Sequence, residues 1–218
     1  MSSMQQPSTF SKKYLIVNEV FNAITHGIGA GLSIAGLVLL IIRGVKIGSP
    51  IYIVSYSIFG ASMILLFLFS TLFHSLIFTR AKKVFQIFDH SSIYLLIAGS
   101  YTPFCLLTIK GWLGWTLFGI IWSLALMGIV YKSIWLKSKN KAGVLLYIAM
   151  GWLCLIAIKP LYDGLGFNGF LLLFLGGLSY TVGAWFYSMK QVRFMHVIWH
   201  IFVMLGACFI YFSIYLFT

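Results

Sequence analysis

Carboxylates are nearly absent from this chain: 3 acidic residues stand against 15 Lys and Arg in 218 residues. Charged residues of every kind make up only 8% of the sequence, whereas 61% is hydrophobic and the mean hydropathy is +1.01. A water-soluble domain needs polar surface to face solvent, and this composition cannot supply it. Lipid is the implied solvent. Cysteine is scarce too, and Cys105, Cys154 and Cys208 lie far apart in separate apolar runs. Without paired spacing they read as buried thiols, not as disulfides or metal ligands. No small-residue cleavage site closes the first apolar run, which begins near Val20, so no cleaved signal peptide is expected. The formal charge of +12 would point to nucleic acid in a soluble protein. Here the basic residues fall in short gaps between apolar runs and leave no face for a duplex, so no nucleic-acid partner is expected.

What the chain does have is long apolar runs. A helix needs about 20 such residues to cross a bilayer. Seven runs qualify: 20–42, 52–78, 86–108, 112–131, 143–159, 167–188 and 196–217. Short connections predict antiparallel neighbours. The expected fold is an all-α membrane protein, a single bundle of seven transmembrane helices over residues 14–218, after a disordered cytoplasmic stretch, residues 1–13. Alternate gaps differ in charge. One side collects Lys12, Lys13, Arg80, Lys82, Lys83, Lys132, Lys137, Lys139, Lys141, Lys190 and Arg193; the other has Arg43, Lys46, Lys110 and Lys159. The positive-inside rule then places the N-terminus in the cytoplasm and the C-terminus outside. Among the 21 glycines, Gly27, Gly29 and Gly31 and the pair Gly176-Gly177 read as helix-packing surfaces. Pro103 is expected to kink the third span, Pro160 to end the fifth, and Asp163 to sit in a turn.

The rare ionisable residues converge on one side of this topology. Glu19, Asn22 and His26 open the first span, His74 closes the second, Asp89 and His90 open the third, and His196 and His200 open the last. Ionisable groups are expensive in hydrocarbon, so a cluster of them is read as functional. His196 and His200 are one helical turn apart, and both imidazoles can reach one metal ion. Three neutral imidazoles plus a water make an open tetrahedral zinc site. His74 is the favoured third ligand, with Ser70 one turn deeper on the same face. Asp89 is placed to accept a hydrogen bond from that water and to orient it or take its proton. Glu19, Asn22 and His26 share one helix face, as a polar ladder to the site or as a helix start. Taken singly, His26 and His90 read as interfacial hydrogen-bonded residues, and Tyr94 and Tyr101 as packing aromatics.

These residues carry a resemblance. The segments Glu19-x-x-Asn22-x-x-x-His26, Ser70-x-x-x-His74, the run from Phe88-Asp89-His90 to Tyr101-Thr102-Pro103, and His196-x-x-x-His200 occur in this order from the first span to the last. In this the chain resembles the bacterial hemolysin III proteins of the progestin and adipoQ receptor superfamily. The resemblance implies seven helices in the bacterial plasma membrane and zinc near the cytoplasmic face. Its ligands would be His74, His196 and His200, with Asp89 holding the bound water and Ser70 behind it. It also implies two activities: ceramidase-like hydrolysis of a lipid amide or ester inside the bundle, and the cytolysis in the family's name. A third reading is a non-enzymatic sensor or homeostasis protein with structural zinc. Cytolysis is disfavoured, because a toxin inserting from solution needs a soluble form and a channel needs polar residues over the full membrane depth.

Overall fold

The computed structural model describes residues 10–134, 142–189 and 191–218, and among these residues it contains helices and no strand. The elements are α1 (Lys12–Ile47), α2 (Pro50–Ser75), α3 (Lys82–Pro103), α4 (Gly111–Ile134), α5 (Ala142–Trp152), α6 (Ile158–Ser188) and α7 (Met195–Phe217). A π-helical turn, Phe104–Ile109, continues α3 beyond Pro103, and a 3₁₀ turn, Leu153–Ala157, joins α5 to α6. Polarity is distributed the opposite way from a soluble protein. Leu32, Val45, Trp112 and Ile134 are all more than half exposed, whereas Asn22, His26, Ser55, Thr102 and His200 are buried. Such an apolar exterior is stable only against lipid.

Local chemistry sets the helix ends. The Ser11 side chain accepts the Tyr14 backbone N–H at 3.3 Å and caps α1, so the first helix begins at Lys12, inside the stretch expected to be disordered. Residues 1–9 of that stretch lie outside the described residues, as do Lys137, Lys139, Lys141 and Lys190 of the charge count. Gly48 ends α1 in a left-handed conformation (φ 77°) and its N–H bonds back to the carbonyls of Gly44 and Val45. Pro50 then starts α2 two residues on, where a missing N–H costs nothing. This tight turn folds α2 antiparallel to α1. The two helices meet closely at Gly29, where a Cβ would lie 2.8 Å from the Phe67 ring. Gly176 likewise receives Ile210 of α7, but Gly31 has open space beside it, so only part of the expected glycine surface is a contact. The cysteine reading is also corrected: all three are free, Cys105 is buried, Cys154 is half-buried and Cys208 is exposed on the outer face of α7.

The expectation of seven separate apolar helices is corrected to six long apolar helical segments among the described residues. The difference lies at 143–188, where no polar loop separates the fifth and sixth runs. Pro160 does not end a helix but falls in the first turn of α6, a position that needs no N–H. Asp163 is helical rather than in a turn and pairs with Lys159 at 2.8 Å on the exposed surface. The interruption is Gly166, with φ 64° and ψ 179°, a conformation closed to other residues. Across it the chain doubles back. The indole N–H of Trp152 donates to Thr181 at 3.1 Å. In one straight helix those residues would stand about 44 Å apart.

A single phenol stitches this region to α3. The Tyr101 hydroxyl lies 2.9 and 2.8 Å from the carbonyls of Met150 and Gly151, and it accepts the Cys154 N–H at 2.8 Å. It thereby satisfies backbone groups released where α5 gives way to the 3₁₀ turn. Tyr101→Phe is expected to destabilise the protein by about 1–3 kcal/mol, because the Cys154 N–H and the two carbonyls lose their partner in an apolar interior. The thermal midpoint in detergent measures this. An unchanged midpoint would show that the turn is held by packing alone.

Candidate metal centre

The antiparallel order brings the start of α1, the end of α2, and the starts of α3 and α7 to one end of the bundle. His74 stands in the last turn of α2 and His196 and His200 in the first two turns of α7. One ring nitrogen from each lies within 4.8 Å of the others. The ring centroids are 4.7 to 5.0 Å apart, each pair tilted edge to face. Three imidazoles this close are poised around a common point, a donor set that suits zinc.

The hydrogen bonds behind the rings decide which nitrogens face that point. His74 Nδ1 lies 2.5 Å from a Glu19 carboxylate oxygen, and its Nε2, also buried, has no hydrogen-bond partner within the chain. An orphaned buried nitrogen is costly unless something else occupies it, and a metal ion would. His200 Nδ1 lies 3.2 Å from the Asn22 carbonyl and 3.4 Å from the Thr25 hydroxyl. A carbonyl can only accept, so Nδ1 carries the proton and Nε2 keeps its lone pair. In the neutral form of both imidazoles Nε2 is the nitrogen left to bind an ion. The residues present fit a divalent metal.

The remaining residues surround this trio. Ser70 stands beside Asp89, which lies within electrostatic reach of His74 and Glu19 and lines the same cavity. His26 is buried among side chains: it is 3% exposed, stacked flat on His200 with centroids 3.6 Å apart, and edge-on to Phe67 at 5.0 Å. It packs on His200 and stands outside the trio of nitrogens close enough to share an ion. Asn22 acts through its backbone, while its buried amide has no partner within the chain. His90 also stays outside the trio; it lines the cavity, and its carbonyl accepts the Tyr147 hydroxyl at 3.2 Å. Tyr94 packs against Tyr147, as expected for an aromatic of the core. Sequence reasoning missed Thr25, and Tyr187, whose ring meets His196 edge-on at 5.4 Å. Neither carries a sequence signal, since threonines and interfacial tyrosines abound in such helices.

From the histidines a cavity of about 1310 Å³ extends into the bundle between α3, α5, α6 and α7. Glu19, Asp89 and the three histidines form its polar end, while Phe104, Leu161, Phe170 and Ile210 line the rest. This division of the lining suits an amphipathic ligand with its polar part at the imidazoles.

Known proteins resemble this chain over most of its length. The sequence profile of the family described as Haemolysin-III related matches residues 14–211. The chain is 51% identical to Hemolysin-3 of Bacillus cereus over 91% of both chains. It is 52% identical to the Hemolysin-3 homolog of Bacillus subtilis (strain 168), over 92% of this chain and 94% of that one. A more distant relative is the monocyte to macrophage differentiation factor of Homo sapiens, 28% identical over 72% of this chain and 68% of its own length. The trio of histidines thus sits in a multi-pass membrane protein that belongs to the Haemolysin-III related family, within the progestin and adipoQ receptor superfamily.

Proposed function

We propose that this protein is a zinc-dependent hydrolase of lipid amide or ester bonds, acting from within the bacterial plasma membrane. The observation that carries the reading is the joining of two things: a trio of imidazoles with a carboxylate beside it, and an apolar cavity leading away from them. His74, His196 and His200 would hold the ion. Zinc, when bound, supplies Lewis-acid polarisation and lowers the pKa of an adjacent water. Asp89, oriented by Ser70, takes a proton from a water at the polar end of the cavity. The apolar walls bind the hydrocarbon of the lipid and keep bulk water from the reacting bond.

Two features favour a second reading, a structural ion in a sensor or homeostasis protein. The ligands lie on α2 and α7, each packed on α1, so one ion would also clamp the bundle. Among the described residues the other carboxylate at the trio, Glu19, is engaged by His74, which leaves no separate carboxylic acid for the leaving group beside Asp89. The relatives' name speaks of hemolysis, but a conducting path wants polar groups over its full depth, and the far end of this cavity is lined by Phe104, Phe170 and Ile210.

The topology belongs to the same proposal. The stretch Val144–Ser188 would be about 68 Å long if straight, twice the thickness of the hydrocarbon core. Folded back at Gly166, it crosses twice and brings the total to seven crossings, with the N-terminus and the histidines at the cytoplasmic side. A reporter enzyme fused after Thr218 is expected to be active only outside the cytoplasm; activity inside would overturn the orientation. The chemistry is tested by incubating purified wild-type protein with a panel of ceramides, lysolipids and glycerolipids and following free fatty acid by mass spectrometry. Zinc-replete protein that releases none would move the assignment to the structural ion.

A further inference from the structure

Helix α1 gives the metal centre no ligand, yet it touches two of them. Glu19 meets Nδ1 of His74 at 2.5 Å, and three residues on, the Asn22 carbonyl meets Nδ1 of His200 at 3.2 Å. Residues i and i+3 share a helix face, so one face of α1 orients ligands from both α2 and α7. The two contacts differ in kind. A carbonyl is neutral and already part of the helix, whereas a carboxylate in an apolar segment is costly to keep. Only 3 acids occur in the chain, and Asp163 is spent on an exposed pair with Lys159. The other two, Glu19 and Asp89, both stand at the histidine trio.

We propose that Glu19 is a positioning residue for the metal: its carboxylate fixes the His74 tautomer that presents Nε2 and strengthens that nitrogen as a donor. This rests on the metal reading above. The same placement balances charge. Three neutral imidazoles bring none, so Glu19 and Asp89 together offset a dication and leave the buried centre neutral, which favours a divalent ion over a monovalent one. A plain structural pairing of α1 with α2 would not need the negative charge. A neutral acceptor of the same shape would hold the His74 ring as well.

Glu19→Gln separates the two accounts, because it keeps the shape and the acceptor oxygen and removes only the charge. Zinc affinity of the detergent-solubilised full chain is read by competition with a chromophoric chelator. The visible spectrum of the cobalt-loaded protein reports ligand geometry, and the metal-free thermal midpoint reports packing. Expected are zinc binding weaker by about 10–100-fold, as for partners behind zinc-bound histidines elsewhere, a shifted cobalt spectrum, and a metal-free midpoint equal to wild type. Partial recovery of affinity in Glu19→Asp is expected as well. Wild-type affinity in Glu19→Gln would overturn the proposal. So would a midpoint lowered in the metal-free protein with affinity unchanged, which would assign Glu19 to helix packing. Wild-type protein that binds no zinc would instead overturn the metal reading itself, before any Glu19 variant is compared.

Discussion

Purified wild-type protein is expected to carry one zinc ion per chain, and His200→Ala to lose it. His200 is the most constrained of the three imidazoles. It is 2% exposed, held through Nδ1 by the Asn22 carbonyl, and covered on one face by His26. Removing it leaves His74 and His196, and two imidazoles from different helices cannot fill a tetrahedral site. The loss should exceed the ~10–100-fold that follows from removing a partner behind a ligand. Elemental analysis and chelator competition measure it. Truncation also opens a space beside His26, so the variant must first elute as a monodisperse peak with wild-type helicity. His26→Ala supplies the matched control: it removes the stacked ring and a similar volume but no ligand, so zinc should remain. Zinc retained in His200→Ala, or lost equally in His26→Ala, would sink the assignment of ligands.

How far the sequence reaches can be traced through particular residues. The trio was legible because each histidine stands at a helix end predicted to lie on the same side, and because His196 and His200 are one turn apart. Glu19 was legible as a polar residue near the site, but its partner was not. Pairing Glu19 with His74 depends on how deeply α1 slides along α2, and that register is set by Gly29 meeting Phe67 and by the tight turn at Gly48, not by hydropathy. The same holds for His26. Taken singly it reads as an interfacial residue and its spacing puts it on a polar face with Glu19 and Asn22, whereas packing against Phe67 and His200 buries it. The fifth and sixth helices illustrate a different limit. Hydropathy marks where a chain is apolar, and a proline was the obvious place to divide the run. The break instead falls at Gly166, because a proline in a first helical turn costs nothing and a positive φ with extended ψ admits only glycine. The cavity had no sequence signature, since apolar side chains lining a void and those filling a core are the same residue types.

Asp89 decides between hydrolase and structural ion. In the hydrolase its carboxylate, steadied by Ser70, receives the proton of the attacking water. Asp89→Asn keeps nearly the same shape, leaves all three imidazoles in place, and removes the base. General-base assistance is typically worth about 10²–10⁴ in rate, so release of fatty acid from a turned-over lipid should fall by that factor while zinc content holds at wild type. Ser70→Ala should act in the same direction but more weakly, because it takes away only the hydroxyl that orients the carboxylate. The expected signature is therefore a graded loss of kcat, with zinc affinity and thermal midpoint close to wild type in both variants. A structural ion predicts another pattern. Asp89→Asn would then lower the midpoint slightly, because the Ser70 contact weakens, and would change no lipid, since there would be no turnover to lose. A third outcome, full turnover in Asp89→Asn with zinc retained, would keep the hydrolase and remove Asp89 from its chemistry. The base would then have to be sought among the other polar groups at that end of the cavity, of which His90 is the nearest in sequence.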